Sequence, residues 1–173
     1  YNTMGTEVTI VEFMPNIVPV EDEDISKQLE KSLKKSGINI MTSAEVTKVD
    51  TSGKGVKAFV KTAKGEQVLE ADILLSAVGI KTNIENIGLE AVGIKTDRDK
   101  IQVNEYYQTN VPGYYAIGDV VPGQALAHVA SAEGILCVEK IKGLHVEPIN
   151  YGNIPGCTYC TPEIASVGLT EKQ

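Results

Sequence analysis

The segment GYYAIGDVVPGQALAHVASAEG, Gly113 to Gly134, ends a short apolar run on a carboxylate and opens a helix a few residues later. Gly118 lets the chain leave a strand without a side chain in the way. Asp119 then faces outward, able to accept a hydrogen bond from a polyol hydroxyl. The spacing predicts a helix starting near Ala125, where small residues leave the N–H groups of Leu126, Ala127 and His128 open to an anionic ligand. Negative charge of that kind gathers at the pyrimidine end of a reduced flavin, so backbone donors there would raise its tendency to accept electrons. A Gly-Asp pair by itself occurs in many loops. A buried strand, then Gly-Asp, then a small-residue helix start is far more specific. The same placement reads His128 as a wall that contributes backbone, rather than as a side-chain acid or base.

Two other residues have candidate binding roles. Glu12 closes the β-branched run TEVTIVEF. A carboxylate at the end of the second strand of a dinucleotide fold accepts from the adenosine ribose hydroxyls and repels a 2′-phosphate, which favours NAD over NADP. A solvated strand-end carboxylate is the alternative. Gly79 ends the apolar run ADILLSAVG, and ligands of open α/β sheets collect at the carboxyl ends of strands. A plain turn glycine is the alternative there.

The elements that must position these residues follow from the pattern. Thr6–Phe13 reads as a buried parallel strand. Asp22 is the expected N-cap of a helix with acidic residues in its first turn and Ile25, Leu29 and Leu33 on one face. Lys34 and Lys35 suit the negative end of that helix, and Gly37 suits the position just beyond it. INIMT reads as a second main-sheet strand, and AEVTKVDT, GVKAFVKT and EQVLEA as an antiparallel meander. The continuous apolar run Ala71–Gly79 predicts a strand covered on both faces. After a turn-rich connector, IQVNEYYQT and YYAIGD read as strands, and ALAHVASAEGILCVEKIKG as a helix. A last strand is expected near Ile164–Val167, as the opening of a third unit too short to build a core. The fold class is therefore α/β: a partial doubly wound dinucleotide-binding domain carrying a β-meander, followed by part of a second, FAD-binding domain.

Composition narrows the function. The net charge is −7, and the 16 Lys and Arg residues are dispersed, so nucleic acid is not an expected partner. No apolar run approaches the roughly 20 residues that span a bilayer. Three cysteines, an odd number, argue against a disulfide scaffold and fit a reducing, cytoplasmic setting. Cys157 and Cys160 form a C-x-x-C that precedes a strand instead of opening a helix, so nothing there lowers a thiol pKa. A second such pair is lacking, and neither His128 nor His145 has ligand spacing to it, so no metal site is expected. Cys137 falls on the apolar face of the last helix and reads as core.

IQVNEYYQTNVPGYYAIGDVVPGQALAHVASAEGILCVE closely resembles the second flavin-contact segment of the pyridine nucleotide–disulfide oxidoreductases. VTIVEF, ADILLSAVGI and TPEIASVGLTE match in order, so the resemblance covers essentially the whole chain. The Gly-Asp-Val-Val, Leu-Ala-His and Glu-Gly series is most like that of the dihydrolipoamide-oxidising members. The resemblance implies that Asp119 binds the ribityl chain of FAD, with Gly118 in the turn, and that Ala125, Leu126, Ala127 and His128 line the flavin ring. It implies that Glu12, Val46 and Gly79 fall in the NAD site. It divides the chain into an NAD domain at 1–81, a central FAD-contacting segment at 82–148 and the start of a dimerisation domain at 149–173. Thr161 departs from the His that often precedes this Pro in the family.

Members of the family pass electrons from a dithiol through a Cys-x4-Cys disulfide to FAD and then to NAD. These residues contain no Cys-x4-Cys. The resemblance puts both glycine-rich phosphate turns before Tyr1, and the catalytic His–Glu pair beyond Gln173. The chain thus reads as an internal fragment with no catalytic residue of its own, inactive alone and binding FAD weakly without the pyrophosphate turn. The parent is expected to form a homodimer serving a lipoyl-bearing acyltransferase complex. The rival readings are a relative reducing glutathione, mercuric ion or peroxide, a non-catalytic nucleotide-binding module, and a purely structural scaffold.

Overall fold

A computed structural model describes residues 1–173. The chain divides into two compact units, Tyr1–Ala77 with Ile154–Gln173, and Val78–Asn153.

In the first unit the β-branched run supplies strand β1 (Thr9–Val11), shorter than the predicted span. Helix α1 (Glu23–Lys35) follows, and strand β2 (Asn39–Met41) returns parallel to β1 with Ile10 opposite Ile40. Both ends of α1 form as the sequence predicts. The Asp22 carboxylate accepts from the Asp24 N–H at 3.0 Å, meeting one of the orphan donors of the first turn. At the other end Ile38 N–H donates to Leu33 O and Gly37 N–H to Lys34 O, a Schellman pair with Gly37 just beyond the Ser36 cap. The meander is also as expected: β3 (Glu45–Asp50), β4 (Val56–Thr62) and β5 (Gly65–Ala71) pair antiparallel in sequence order.

Two clusters hold this unit. Ile17, Leu29 and Ile164 are buried together, with Leu33 and Ile40 against them, while Ala44, Ala58 and Val60 are buried beside Val11, Met41 and Leu69. Ser26 enters the first cluster because its hydroxyl donates to Ile17 O at 2.5 Å. Ile25, expected on the buried face, is 42% exposed.

The second unit contains α2 (Leu89–Val92), a hairpin of β6 (Thr96–Asp97) and β7 (Lys100–Ile101), and the long helix α3 (Ala127–Ile141). Its core gathers Tyr107, Leu136 and Cys137, with Val103, Tyr106, Val146 and Ile149 packed around them. Cys137 is thus a packing residue, and burial pushes its thiol pKa up. The final hairpin, β8 (Gly156–Thr158) with β9 (Ile164–Ser166), belongs to the first unit.

Several sequence expectations are corrected. Ala71–Gly79 is not a buried strand: beyond Ala71 the run is irregular, with Ile73 83% and Val78 96% exposed. No strand of the chain hydrogen-bonds alongside it, and a doubly covered strand exists only where neighbours complete its ladder and its two layers. IQVNEYYQT forms a strand only at Ile101, because Asn104 turns the chain by accepting from Tyr106 and Gln108 N–H through its side chain. YYAIGD contributes a single bridge, Gln108 to Tyr115, instead of a strand. The segment after Ile154 does reach a core, since Ile164 is buried against Ile17 and Leu29.

Leu29→Ala is expected to destabilise the first unit by about 2–5 kcal/mol through lost burial and a residual cavity. Ile25→Ala on the same helix should stay within about 0.5 kcal/mol. Urea unfolding of the two variants checks the assignment of the buried face.

Candidate functional site

Helix α3 and the turn before it form the best-defined site of the second unit. Gly118–Val120 makes one 3-10 turn, entered from extended backbone at Ile117 and left by extended backbone at Val121. Gly118 has φ +73°, a region that side-chain-bearing residues rarely adopt, and a Cβ there would lie 3.2 Å from Ala130 Cβ of α3. The backbone conformation favours glycine at position 118, and the close approach of α3 adds a tight contact for any Cβ.

The turn is held at the Gly118 N–H, the Gly118 carbonyl and the Asp119 carbonyl. Gly118 N–H donates to Glu133 Oε2 at 2.6 Å. Lys100 Nζ donates to the Asp119 carbonyl at 2.6 Å, and Val121 N–H closes the turn onto Gly118 O at 3.0 Å. The Asp119 carboxylate, by contrast, is exposed and makes no hydrogen bond within the chain. Its backbone is fixed while its side chain stays free to accept.

Helix α3 starts two residues later than predicted, with Leu126 as its N-cap and no side-chain cap. The Leu126 N–H is already committed to Gln124 O at 2.9 Å, so it is not among the open donors the sequence suggested. The first intrahelical bond runs from Ala130 N–H to Leu126 O, leaving Ala127, His128 and Val129 as the orphan donors of the first turn. Ala125, Ala127 and His128 are exposed, so small side chains leave the positive helix end accessible. The His128 imidazole makes no hydrogen bond within the chain. A carboxylate with free lone pairs next to an uncapped helix N-terminus fits a ligand that combines a polyol with a group gathering negative charge.

Glu133 was not singled out from the sequence as a site residue. It is 1% exposed in the middle of α3, and each of its oxygens has one donor. Oε1 accepts from the Tyr151 hydroxyl at 2.5 Å, and the Tyr151 and Tyr107 hydroxyls lie 3.0 Å apart. The detectable signal was a charged residue on an otherwise apolar helix stripe, which in a buried position needs partners. Burial, followed by the bond to Glu133, pushes the Tyr151 phenol pKa well above its ordinary value. Burial likewise raises that of Tyr107.

The first unit holds Glu12 and Val46. Glu12 follows β1 directly: its N–H donates to Met41 O, and its Oε1 accepts from Met14 N–H at 2.7 Å. The carboxylate is thereby aimed by its own loop, with capacity left on its other oxygen. Val46 lies on β3 opposite Val60, beside a register shift, and is 41% exposed. Gly79, with φ +121°, lies in the exposed irregular run of the second unit. Cys157 is exposed, and the Cys160 thiol donates to Pro162 O at 3.0 Å. No group of three His, Cys, Asp or Glu side chains is arranged to hold a metal ion. No helix is long and apolar enough to cross a membrane.

Residues 1–134 match the model of the pyridine nucleotide-disulphide oxidoreductase family. The chain belongs to that family. Among the oxidoreductases it is similar to the dihydrolipoyl dehydrogenase of Rhizobium etli, with 53% identity over 99% of this chain and 36% of that protein. Its fold is similar to the crystal structure of LpdA from Mycobacterium tuberculosis, with TM-score 0.90 and 29% identity over 99% of this chain and 37% of that one. It is also similar to the HOCl-induced flavoprotein disulfide reductase RclA of Escherichia coli, with TM-score 0.87 and 25% identity over 99% and 39% of the two chains. The chain spans about a third of the length of the curated relatives it matches.

Gly118→Ala should lower stability by about 1–3 kcal/mol, read as a fall in Tm. The raised phenol pKa of Tyr151 makes a second prediction. Below pH 10.0, the ordinary phenol value, the hydroxyl is neutral whether the chain is folded or not, and the network's contribution is fully present. Above it, the unfolded state loses the phenol proton first, so stability falls with rising pH. Tyr151→Phe should flatten that alkaline loss, as followed by unfolding midpoints across the alkaline range.

Proposed function

We propose that this chain is part of a flavoprotein that oxidises protein-bound dihydrolipoamide with NAD as the final acceptor. The observation that carries the reading is the Gly118–Asp119 turn, whose fixed backbone and free carboxylate precede an uncapped helix N-terminus of small residues. Asp119 would hold the ribityl hydroxyls of FAD. Ala125 and Leu126 would shape the wall beside the ring, and the N–H groups of Ala127 and His128 would face its electron-rich end. Bound FAD would supply two-electron exchange between a dithiol and a nicotinamide. Glu12, Val46 and Gly79 belong on the NAD side in this reading, with Glu12 accepting from the ribose and opposing a 2′-phosphate.

The functional division at 1–81, 82–148 and 149–173 is part of the proposal. The break between compact units near Ala77 supports its first boundary. The redox disulfide of the reaction lies outside these residues, so the chain alone is assigned no turnover. A homodimer docking on a lipoyl-bearing acyltransferase complex in the cytoplasm completes the reading, and three free cysteines suit such a reducing compartment.

A steady-state assay of the full-length flavoprotein tests the assignment. The expected result is NADH formation from dihydrolipoamide and NAD, with little activity toward NADP or glutathione disulfide. Preference for NADPH and glutathione disulfide would place it in another branch of the family. Glu12→Ala should raise the KM for NAD about 10-fold, the loss of roughly 1.4 kcal/mol of charge-assisted hydrogen bonding, and narrow the discrimination against NADP.

A further inference from the structure

Glu133 reaches the site through the backbone of its turn, and it is the most enclosed charged side chain of the second unit. Each of its two oxygens accepts from one donor. One holds the Gly118 N–H at 2.6 Å, and the other holds the Tyr151 hydroxyl at 2.5 Å. Tyr151 is tied in turn to Tyr107, a buried residue held at φ +65°, in the left-handed region that costs a non-glycine residue energy. Asn104 fixes that conformation, its carbonyl accepting from Tyr107 N–H and its side chain from the N–H groups on either side. A chain of hydrogen bonds thus runs from the Asn104 turn through Tyr107, Tyr151 and Glu133 to the Gly118 N–H.

A carboxylate this enclosed presents neither oxygen to an external ligand. The neighbouring Asp119 carboxylate has the opposite character, with a clamped backbone and a free side chain. We infer that Glu133, held by Tyr151, is a positioning residue that fixes the Gly118–Asp119 turn so that the Asp119 carboxylate is pre-set for the polyol chain of a flavin. The inference rests on the reading of Asp119 as a flavin ligand. Pre-setting matters because a free loop must lose conformational freedom on binding, and a loop already held in place does not.

The role is one of geometry. In Glu133→Gln the side-chain carbonyl still accepts from Gly118 N–H. The amide donates to the Tyr151 hydroxyl, which then donates to Tyr107. In Glu133→Ala both bonds are lost.

The test is FAD titration into the apoprotein of the full-length flavoprotein, in a double-mutant cycle of Glu133→Ala with Asp119→Ala, alongside Glu133→Gln and Tyr151→Phe. Each alanine variant should weaken FAD binding about 10-fold or more. The double variant should be no weaker than the weaker single, because Asp119 has nothing to contribute once its turn is loose. Glu133→Gln should stay within about 3-fold of the unaltered protein, and Tyr151→Phe should weaken binding about 3-fold, again without adding to Asp119→Ala. If Asp119→Ala leaves FAD affinity unchanged, the flavin reading of the turn fails and the inference with it. If Asp119→Ala weakens FAD but Glu133→Ala does not, or the losses multiply in the double variant, the flavin reading stands and the positioning role is overturned. Should Glu133→Ala fail to fold, Tyr151→Phe completes the cycle with the same two outcomes.

Discussion

Enclosing a carboxylate in a protein is costly unless its oxygens find donors, and the cost of leaving one donorless exceeds the gain from an average hydrogen bond. Glu133 meets that requirement with a backbone N–H on one oxygen and a phenol on the other. The two donors come from opposite directions in sequence, Gly118 before helix α3 and Tyr151 after it. One side chain therefore draws the entry turn and the exit segment onto the same helix. Apolar packing of Tyr107, Leu136 and Cys137 forms the core of the same unit. Packing of that kind tolerates small shifts, whereas two short bonds to a fixed carboxylate define a register.

The consequence for chemistry is a division of labour between two acids, Glu133 within α3 and Asp119 in the turn before it. The buried one organises and the exposed one is left free to bind. Lys100 adds a cation on the Asp119 carbonyl, which secures the backbone without neutralising the carboxylate directly. The helix end behind them has no side-chain cap, so its positive pole is directed outward rather than satisfied from within. A side-chain cap at this position would occupy one of the free N–H donors and leave fewer for a ligand.

Much of this was readable in the residues. Asp22, the basic last turn and Gly37 mark both ends of α1 because capping is a local matter, settled within four or five residues. The meander is legible for the same reason, since short strands and Gly-containing turns pair with their neighbours in sequence. The strand expected at Ala71–Gly79 was not legible: its apolar run states what the side chains prefer but not whether a ladder exists beside it. Tyr115–Ile117 misled in the same way: Tyr115 and Ile117 stay more than a third exposed, and the only ladder beside the run is one bridge to Gln108. The Gly-Asp turn and the helix start were located to within two residues. Leu126 proved to be a cap whose own N–H is taken, which depends on Gln124 folding back, a detail no periodicity encodes. Glu133 and Tyr151, 18 residues apart in sequence, meet only through the fold.

The proposed flavin site requires an open helix end at the start of α3 beside a turn already fixed from within. Amide hydrogen exchange on the full-length apoprotein, with and without FAD, tests it most directly. Gly118 should be protected in both states, because Glu133 holds its N–H regardless of ligand. Ala127 and His128 should exchange freely without FAD and slow markedly with it. Unchanged exchange at Ala127 and His128 on adding FAD, or protection at Gly118 that arises only with FAD, would contradict the account.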